Sequence, residues 1–447
     1  MSDGEAAPKT ALRDRVRNPL PEGTLPVGVG IAVSGVCLYG VLTVASRGLG
    51  PALYAPFAAF WPILFVCGPG FFLPLEQEVT RALAARAARG EGGGPVVRNA
   101  AMAGGVTVTL LIALLLIGGG PITNRLFDGN LLLLTALAAG LVAYYAEHLT
   151  RGTLSGNGRF RAYGVLMGSE GIIRVAICVV LWIRHVHDPG AYALAMVVGS
   201  LLAVLLALRG QRNLLKPGPE APWSELSSAL GFLLATSVLN QLLINIGPIA
   251  IKVLASPAEQ QRTGPFLNGL IISRVPLFLF QAVQAALLPK LAGLASAGRH
   301  AHLRRALLRI MVMVAALGVL ATAGAFLLGP WVVRTLFGPG FDLGHKDLGL
   351  LALASSGFMA AIVFTQALIA LHGYGRALIG WLAGTTGFML VTSVPTELFR
   401  RVEDGLVGGA AVAVATLAVL LWPLVRNDDS VDTAEYLEQA SHVVGEP

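Results

Sequence analysis

"YGVLMGSEGIIRVAICVVLWI", residues 163–183, is long and apolar enough to cross a bilayer, yet it carries Glu170 and Arg174 within it. About 20 residues rising about 1.5 Å each match a hydrocarbon core about 30 Å thick, so the stretch reads as a transmembrane helix. Entered at Tyr163, it holds Arg174 roughly 16 Å deep, near the midplane. An arginine there costs about 2.5–3.5 kcal/mol on insertion scales, and a glutamate four residues away returns only about 0.2–0.5 kcal/mol in exposed helices. Lipid is therefore the wrong neighbour for this pair. The surrounding chain has to provide protein or water.

The surrounding chain has the composition of a membrane protein. Of its 447 residues 55% are hydrophobic and only 13% are charged, against roughly 25% charged in soluble domains, and the mean hydropathy is +0.71. Twelve runs of spanning length follow one another, at 26–46, 51–73, 98–117, 130–147, 163–183, 190–208, 226–254, 265–288, 306–328, 347–370, 377–396 and 405–425. The first is preceded by the polar, Arg-containing "KTALRDRVRNPLPEG" and followed by further spans, so it reads as a retained helix. No segment between spans is long enough for a soluble domain. Cys37, Cys67 and Cys178 lie in apolar runs and behave as small hydrophobes, not as a disulfide framework or metal site.

Lys and Arg set the orientation. With residues 1–25 as a cytoplasmic arm, twenty-one cations fall on cytoplasmic loops and eight on outer ones. That bias obeys the positive-inside rule for an even number of spans with both termini in the cytoplasm. The surplus of base thus reports topology in a plasma-membrane protein and calls for no nucleic-acid partner. The polar tail 426–447 ("RNDDSVDTAEYLEQ…") has the composition of a disordered segment.

The two halves overlay on their landmarks. "FLPLEQ", with Pro74 after the second span, matches "LLPKLA", with Pro289 after the eighth, at an offset of 215 residues. "GPITNRLFDG" from Gly120 matches "GPWVVRTLFG" from Gly329, offset by 209, and "GNGR" at 156–159 matches "GYGR" at 373–376, offset by 217. Three landmarks in one order predict an internal duplication: a six-helix lobe over 26–208, a cytoplasmic linker over 209–225 and a second six-helix lobe over 226–425.

These same stretches carry a family resemblance. "TGPFLNGLIISRVPLFLFQAVQAALLPKLAGLASAGR", "RTLFGPGF" and "RGTLSGNGRF" resemble the polysaccharide-exporter and oligosaccharide-lipid flippase branch of the multidrug/oligosaccharidyl-lipid/polysaccharide (MOP) superfamily, over roughly residues 26–425. The resemblance implies an all-α, V-shaped transporter of twelve helices whose central cavity opens alternately to either side. It implies no cofactor and no catalysis. The cargo would be a lipid-linked anionic saccharide carried on a polyprenyl diphosphate, with membrane lipids and polysaccharide-synthesis proteins as partners.

The candidate site residues follow from depth and face. Arg274 lies about ten residues into the eighth span, with Gln281 seven residues on along one face, Gln284 beside that line and Pro276 between. Ser237, Gln241, Asn245 and Lys252 recur along one side of the seventh span, with Asn240 alongside. Arg174 and Arg274 against Glu170 give a cationic lumen that suits diphosphate oxygens, while the amides and hydroxyl suit sugar. Other readings stand beside these. Glu170 and Arg174 also fit an ion pair that only locks packing, Glu170 fits a proton or sodium site that couples transport, Lys252 fits a snorkelling side chain, and the amides fit interhelical glue. "PLEQEVTRALAARAARGEGG" reads as an interfacial amphipathic helix presenting Arg81, Arg86 and Arg89 to anionic headgroups, or as topology charge alone.

Rival functions want features the chain lacks. A cation-exporting multidrug antiporter of the sister branch calls for a carboxylate in the first span, and "LPVGVGIAVSGVCLYGVLTVAS" has none. A membrane glycosyltransferase or polymerase calls for an acidic outer loop, and "RGLGP" has no carboxylate. A scaffold has no use for deep arginines. The sequence has no "GxxxxGK[ST]" phosphate loop for direct ATP drive, and "HVHD" at 185–188 is too short to specify a metal site.

Overall fold

A computed structural model describes residues 24–226, 230–256, 259–296, 300–338 and 343–426, and it is built from helices throughout. The first helical run, Thr24–Ala88, reverses at Gly50, whose φ of 69° and ψ of 169° suit a residue without Cβ, and Pro51 follows. It divides into α1 (Leu25–Gly50) and α2 (Ala52–Ala88). Then come α3 (Gly94–Ile117), the short α4 (Gly119–Leu126), α5 (Leu131–Gly156), α6 (Phe160–Ile183) and α7 (Pro189–Leu208). A connector containing one 3₁₀ turn, Trp223–Glu225, leads to the second half. That half comprises α8 (Leu230–Leu254), α9 (Gln260–Ile272), α10 (Val275–Ser296), α11 (His300–Phe337), α12 (His345–Ala370), α13 (Tyr374–Ser393) and α14 (Leu398–Arg426).

Ten of these helices are long and apolar enough to cross a membrane, and α13 with the broken pair α9–α10 completes twelve crossing segments, one for each predicted run. The chain is a multi-pass, two-lobed all-α membrane protein. Large apolar side chains such as Leu114, Ile117, Leu320 and Trp331 are exposed, which only a hydrocarbon solvent makes favourable.

The duplication is visible in who packs on whom. Contacts of α3 with α5, α5 with α7 and α6 with α7 recur as α11 with α12, α12 with α14 and α13 with α14. The halves meet chiefly where α1 and α2 lie against α8 and α9. At this seam Gly70 of α2 lies against Val238 of α8 and Gly35 of α1 against the Phe278 ring of α10, and a Cβ added at either would make ordinary van der Waals contact at 3.6 Å.

The repeats part company in their second crossing element. In the first half α2 runs unbroken for 37 residues, so "PLEQEVTRALAARAA" continues that helix and the separate interfacial helix expected there does not exist. The equivalent element of the second half breaks at Ser273–Arg274, two residues before Pro276, whereas α2 carries Pro56, Pro62, Pro69 and Pro74 without a break. The break fixes the position of Arg274. Residues 1–23 and 427–447, which hold the expected arm and tail, lie outside the described residues, as do the side chains of Gln281 and Gln284.

Candidate functional site

Two groups of buried charge occupy different places in the fold. The first lies inside the N-terminal half, where α6 presents Glu170 and Arg174 to α5 and α7. The Arg174 guanidinium pairs with Glu170 one turn back, donates to Ser200 Oγ at 2.7 Å and donates through Nε to the Met196 carbonyl at 3.2 Å. Its carbon lies 5.9 Å from the ring centres of both Trp61 and Tyr144. Gly199 makes the room: a Cβ there would stand 2.4 Å from Arg174 Cγ. Ser200 Oγ also lies 2.8 Å from Glu147 Oε2 and 3.2 Å from Glu170 Oε1.

The network continues along α5 toward the end of the lobe. Glu147 Oε1 meets Arg151 at 3.3 Å, and Arg151 Nε reaches Glu76 Oε2 of α2 at 3.2 Å. Glu76 accepts from Tyr163 at 3.0 Å and contacts His148 Nδ1 at 2.7 Å. Glu76, Glu147, His148, Glu170, Arg174 and Ser200 are all buried. Burying an isolated charge costs several kcal/mol, so such groups persist only when partners and hydrogen bonds compensate them.

The expectation of one chamber holding both deep arginines changes here. Arg174 is enclosed by α2, α5, α6 and α7 of its own half, because a guanidinium within a crossing helix finds its acceptors on the neighbouring helices. Arg274 lies elsewhere, and no hydrogen bond or ion pair among the described residues joins the two.

Arg274 is half-buried at the break between α9 and α10, against α8. It donates to Asn245 Oδ1 at 3.0 Å and to the Ile244 carbonyl. That carbonyl is available because the residue one turn on is Pro248, which has no N–H to return. Arg274 therefore replaces a missing helix hydrogen bond, and of its five N–H groups it commits two. Among the described residues no carboxylate lies within ion-pair distance of it. One turn on, Phe278 packs edge-on against Tyr39 of α1 with centroids 6.2 Å apart, which puts this face at the seam between halves.

The α8 stripe is partly at that seam. Gln241 packs near Gly70 of α2, Asn245 is buried and donates to the Gln241 carbonyl at 2.8 Å, and Ser237 is half-buried. Asn240 Oδ1 is buried without a hydrogen-bond partner. Lys252 does not snorkel. Its side chain is only 6% exposed and grips Asp128, because the loop after α4 brings a carboxylate to it.

Of the three arginines at the end of α2, Arg86 differs from expectation. Arg86 is buried and cannot face headgroups: it donates to Glu225 at 2.8 and 3.1 Å and to the carbonyls of Gly92, Pro219 and Glu220. The connector carries all of these acceptors except Gly92 and folds back over it. Arg81 pairs with Glu78 and donates to the Glu225 carbonyl, while Arg89 pairs with Glu91, and both keep about half of their side chains exposed. In "HVHD", Asp188 caps α7 by accepting from Gly190 N, and His187 Nδ1 lies 2.9 Å from the Gly48 carbonyl.

Sequence reasoning missed Glu76, Glu147, His148, Arg151, Tyr163 and Ser200. A signal existed in "AEHLTR" at 146–151, whose Glu147 and Arg151 share a helix face beside His148, and in Glu76, which follows Pro74 within a continuing apolar pattern.

Comparison with known proteins supports the fold. No protein-family profile matches the chain. It is 27% identical over 410 residues to the uncharacterized protein Rv1510 of Mycobacterium tuberculosis, covering 89% of this chain and 91% of that one. It is 25% identical over 415 residues to the uncharacterized protein Mb3654 of Mycobacterium bovis, covering 90% and 92%. Among solved structures it resembles the inward-facing conformation of a multidrug resistance MATE family transporter of the MOP superfamily, with a TM-score of 0.72, 14% identity and coverage of 91% of this chain and 99% of that one. The outward-facing conformation of such a transporter gives 0.66 at 16% identity, covering 92% and 95%. The Vibrio cholerae MATE transporter VcmN in its bent form gives 0.63 at 15%, covering 94% and 98%. The chain thus has the fold of the MATE transporters of the MOP superfamily.

Proposed function

We propose that the chain moves a polyprenyl-diphosphate-linked saccharide across the membrane by alternating access between its halves. One observation carries this reading: Arg274 is half-buried at the seam, and among the described residues no carboxylate pairs with it and only two of its five N–H groups find acceptors. A diphosphate meets there a planar donor fork, whereas a cationic drug meets repulsion. Ser237, Asn240, Gln241 and Asn245 offer hydroxyl and amide groups to sugar along α8, and the polyprenyl tail stays in lipid. Arg174 supports this from behind, its charge already answered by Glu170 within the first half.

The test is reconstitution into liposomes with a fluorescent polyprenyl-diphosphate oligosaccharide in one arm and a cationic dye in the other. The wild type flips the saccharide, and Arg274→Ala lowers the rate about tenfold or more, the equivalent of one charge-assisted hydrogen bond or better. Export of the dye without flipping of the saccharide would replace this reading with a multidrug antiporter.

A further inference from the structure

We infer that a groove between the close of α10 and the first turns of α11 binds the headgroup phosphate of an anionic phospholipid. The groove encloses about 260 Å³ and is lined by Leu294 of α10 and by His302, Arg305, Ala306, Arg309 and Ile310 of α11. His302, Arg305 and Arg309 follow one another at intervals of three and four residues, which places them on one helix face. Leu294, Ala306 and Ile310, each half-buried, give the same groove an apolar wall.

The charge there selects an anion. Arg305 and Arg309 are exposed, and Arg305 donates through Nε to the Ala301 carbonyl at 3.3 Å. Among the described residues neither guanidinium makes an ion pair, and Arg309 makes no hydrogen bond. The sequence supplies the reason, since between Glu259 and Asp342 it contains no Asp or Glu. Each guanidinium is a planar fork of N–H donors that suits phosphate oxygens two at a time.

The apolar surroundings select a lipid among anions. α11 has 38 residues and at about 1.5 Å each is about 57 Å long, far beyond a hydrocarbon core about 30 Å thick. Its charged first turns therefore stand at the headgroup layer while the apolar remainder crosses. Beyond Arg305 the helix continues with Leu308, Val312, Val319 and Leu320, all exposed, a track on which an acyl chain can lie. Basic pockets between helices at a membrane surface hold headgroups in this way. Topology charge alone accounts for the arginines but for neither the concavity nor its apolar wall. The inference is independent of the cargo proposed above.

The test is native mass spectrometry of the purified full chain in detergent, titrated separately with phosphatidylglycerol, phosphatidylcholine and geranyl diphosphate. The wild type binds its first phosphatidylglycerol about twentyfold more tightly than phosphatidylcholine, from about fivefold for each of two guanidinium groups at an anionic surface. Arg305→Gln combined with Arg309→Gln removes this preference. Ala306→Phe keeps both charges but fills the groove, and it removes the preference too, which a surface that is merely charged would not show. Equal binding of the two lipids by the wild type overturns the proposal whether or not the variants fold, and so does a preference that survives in either folded variant. Tighter binding of geranyl diphosphate than of phosphatidylglycerol, lost in the same variants, would overturn it in favour of a polyprenyl diphosphate as the occupant.

Discussion

Lys252 Nζ sits 2.9 and 2.8 Å from the two carboxylate oxygens of Asp128, joining α8 of the second half to the loop after α4 of the first. At the same end of the molecule Arg47, at the close of α1, donates to the carbonyls of Thr335 at 2.7 Å and Leu336 at 3.0 Å, near the close of α11. The two contacts together hold these ends of the lobes against each other. Asp128 is 48% exposed, which limits the ion pair to about 1 kcal/mol, a factor of about five in a two-state population. Asp128→Asn is expected to shift spin-label distances across this end toward the open form by that factor. The exchanged pair, Asp128→Lys with Lys252→Asp, is expected to restore the closed distribution. A distribution unmoved by Asp128→Asn would mean that the ion pair does not hold the ends.

Arg274 serves α8 structurally as well as offering charge at the seam, and the two roles separate in a double variant. Arg274→Ala orphans the Ile244 carbonyl and is expected to lower stability by about 1–3 kcal/mol, the usual range for a buried group left unpaired. Pro248→Ala supplies an N–H one turn on, which can take over that carbonyl. The Arg274→Ala, Pro248→Ala double variant should therefore melt closer to the wild type than Arg274→Ala does, in detergent thermal denaturation, yet, on the function proposed above, still fail to flip the saccharide. Recovery of transport together with stability would reduce Arg274 to a structural residue.

Removing Arg174 leaves Glu170 buried beside Glu147 without its guanidinium. The expected loss for Arg174→Ala is about 3–5 kcal/mol, large enough to reduce yield of the folded protein. Combining it with Glu170→Gln removes the orphaned charge and is expected to recover much of the loss. Thermal denaturation of the two variants in parallel decides this, and equal melting temperatures would show that the ion pair does not carry the effect.

How far the sequence could be read follows from what each feature depends on. The twelve spans and the duplication rest on hydropathy and on Pro and Gly at helix ends, which are local, and each predicted run meets a helix or the α9–α10 pair. That Arg174 and Arg274 fall within crossing segments was legible for the same reason. Their surroundings were not, because which helices answer a buried charge is decided by packing between segments far apart in the chain: Arg174 meets Ser200 and Arg274 meets Ile244. Arg151 looked like topology charge because the positive-inside rule counts cations near helix ends without asking whether they turn inward to Glu76 and Glu147. Arg86 misled in the same way, its acceptors lying on a connector more than a hundred residues later.

That connector depends on Arg86 for much of its attachment. A guanidinium only 1% exposed is satisfied by the Glu225 carboxylate and by three backbone carbonyls, two of them on the connector itself, while Asn99 Nδ2 holds the Ala221 carbonyl at 2.8 Å and Gly94 N holds the Lys216 carbonyl at 2.9 Å. Arg86→Ala deletes the centre of this set and leaves those acceptors to find water. Arg86→Lys keeps the charge but loses the planar fork that serves several acceptors at once. Limited proteolysis is the suitable measure, because cleavage requires a locally released backbone. Cleavage within 209–225 is expected to rise at least about tenfold in Arg86→Ala and nearly as much in Arg86→Lys, with the spanning helices still protected. A connector as resistant in both variants as in the wild type would assign its attachment to Asn99 and the backbone contacts instead.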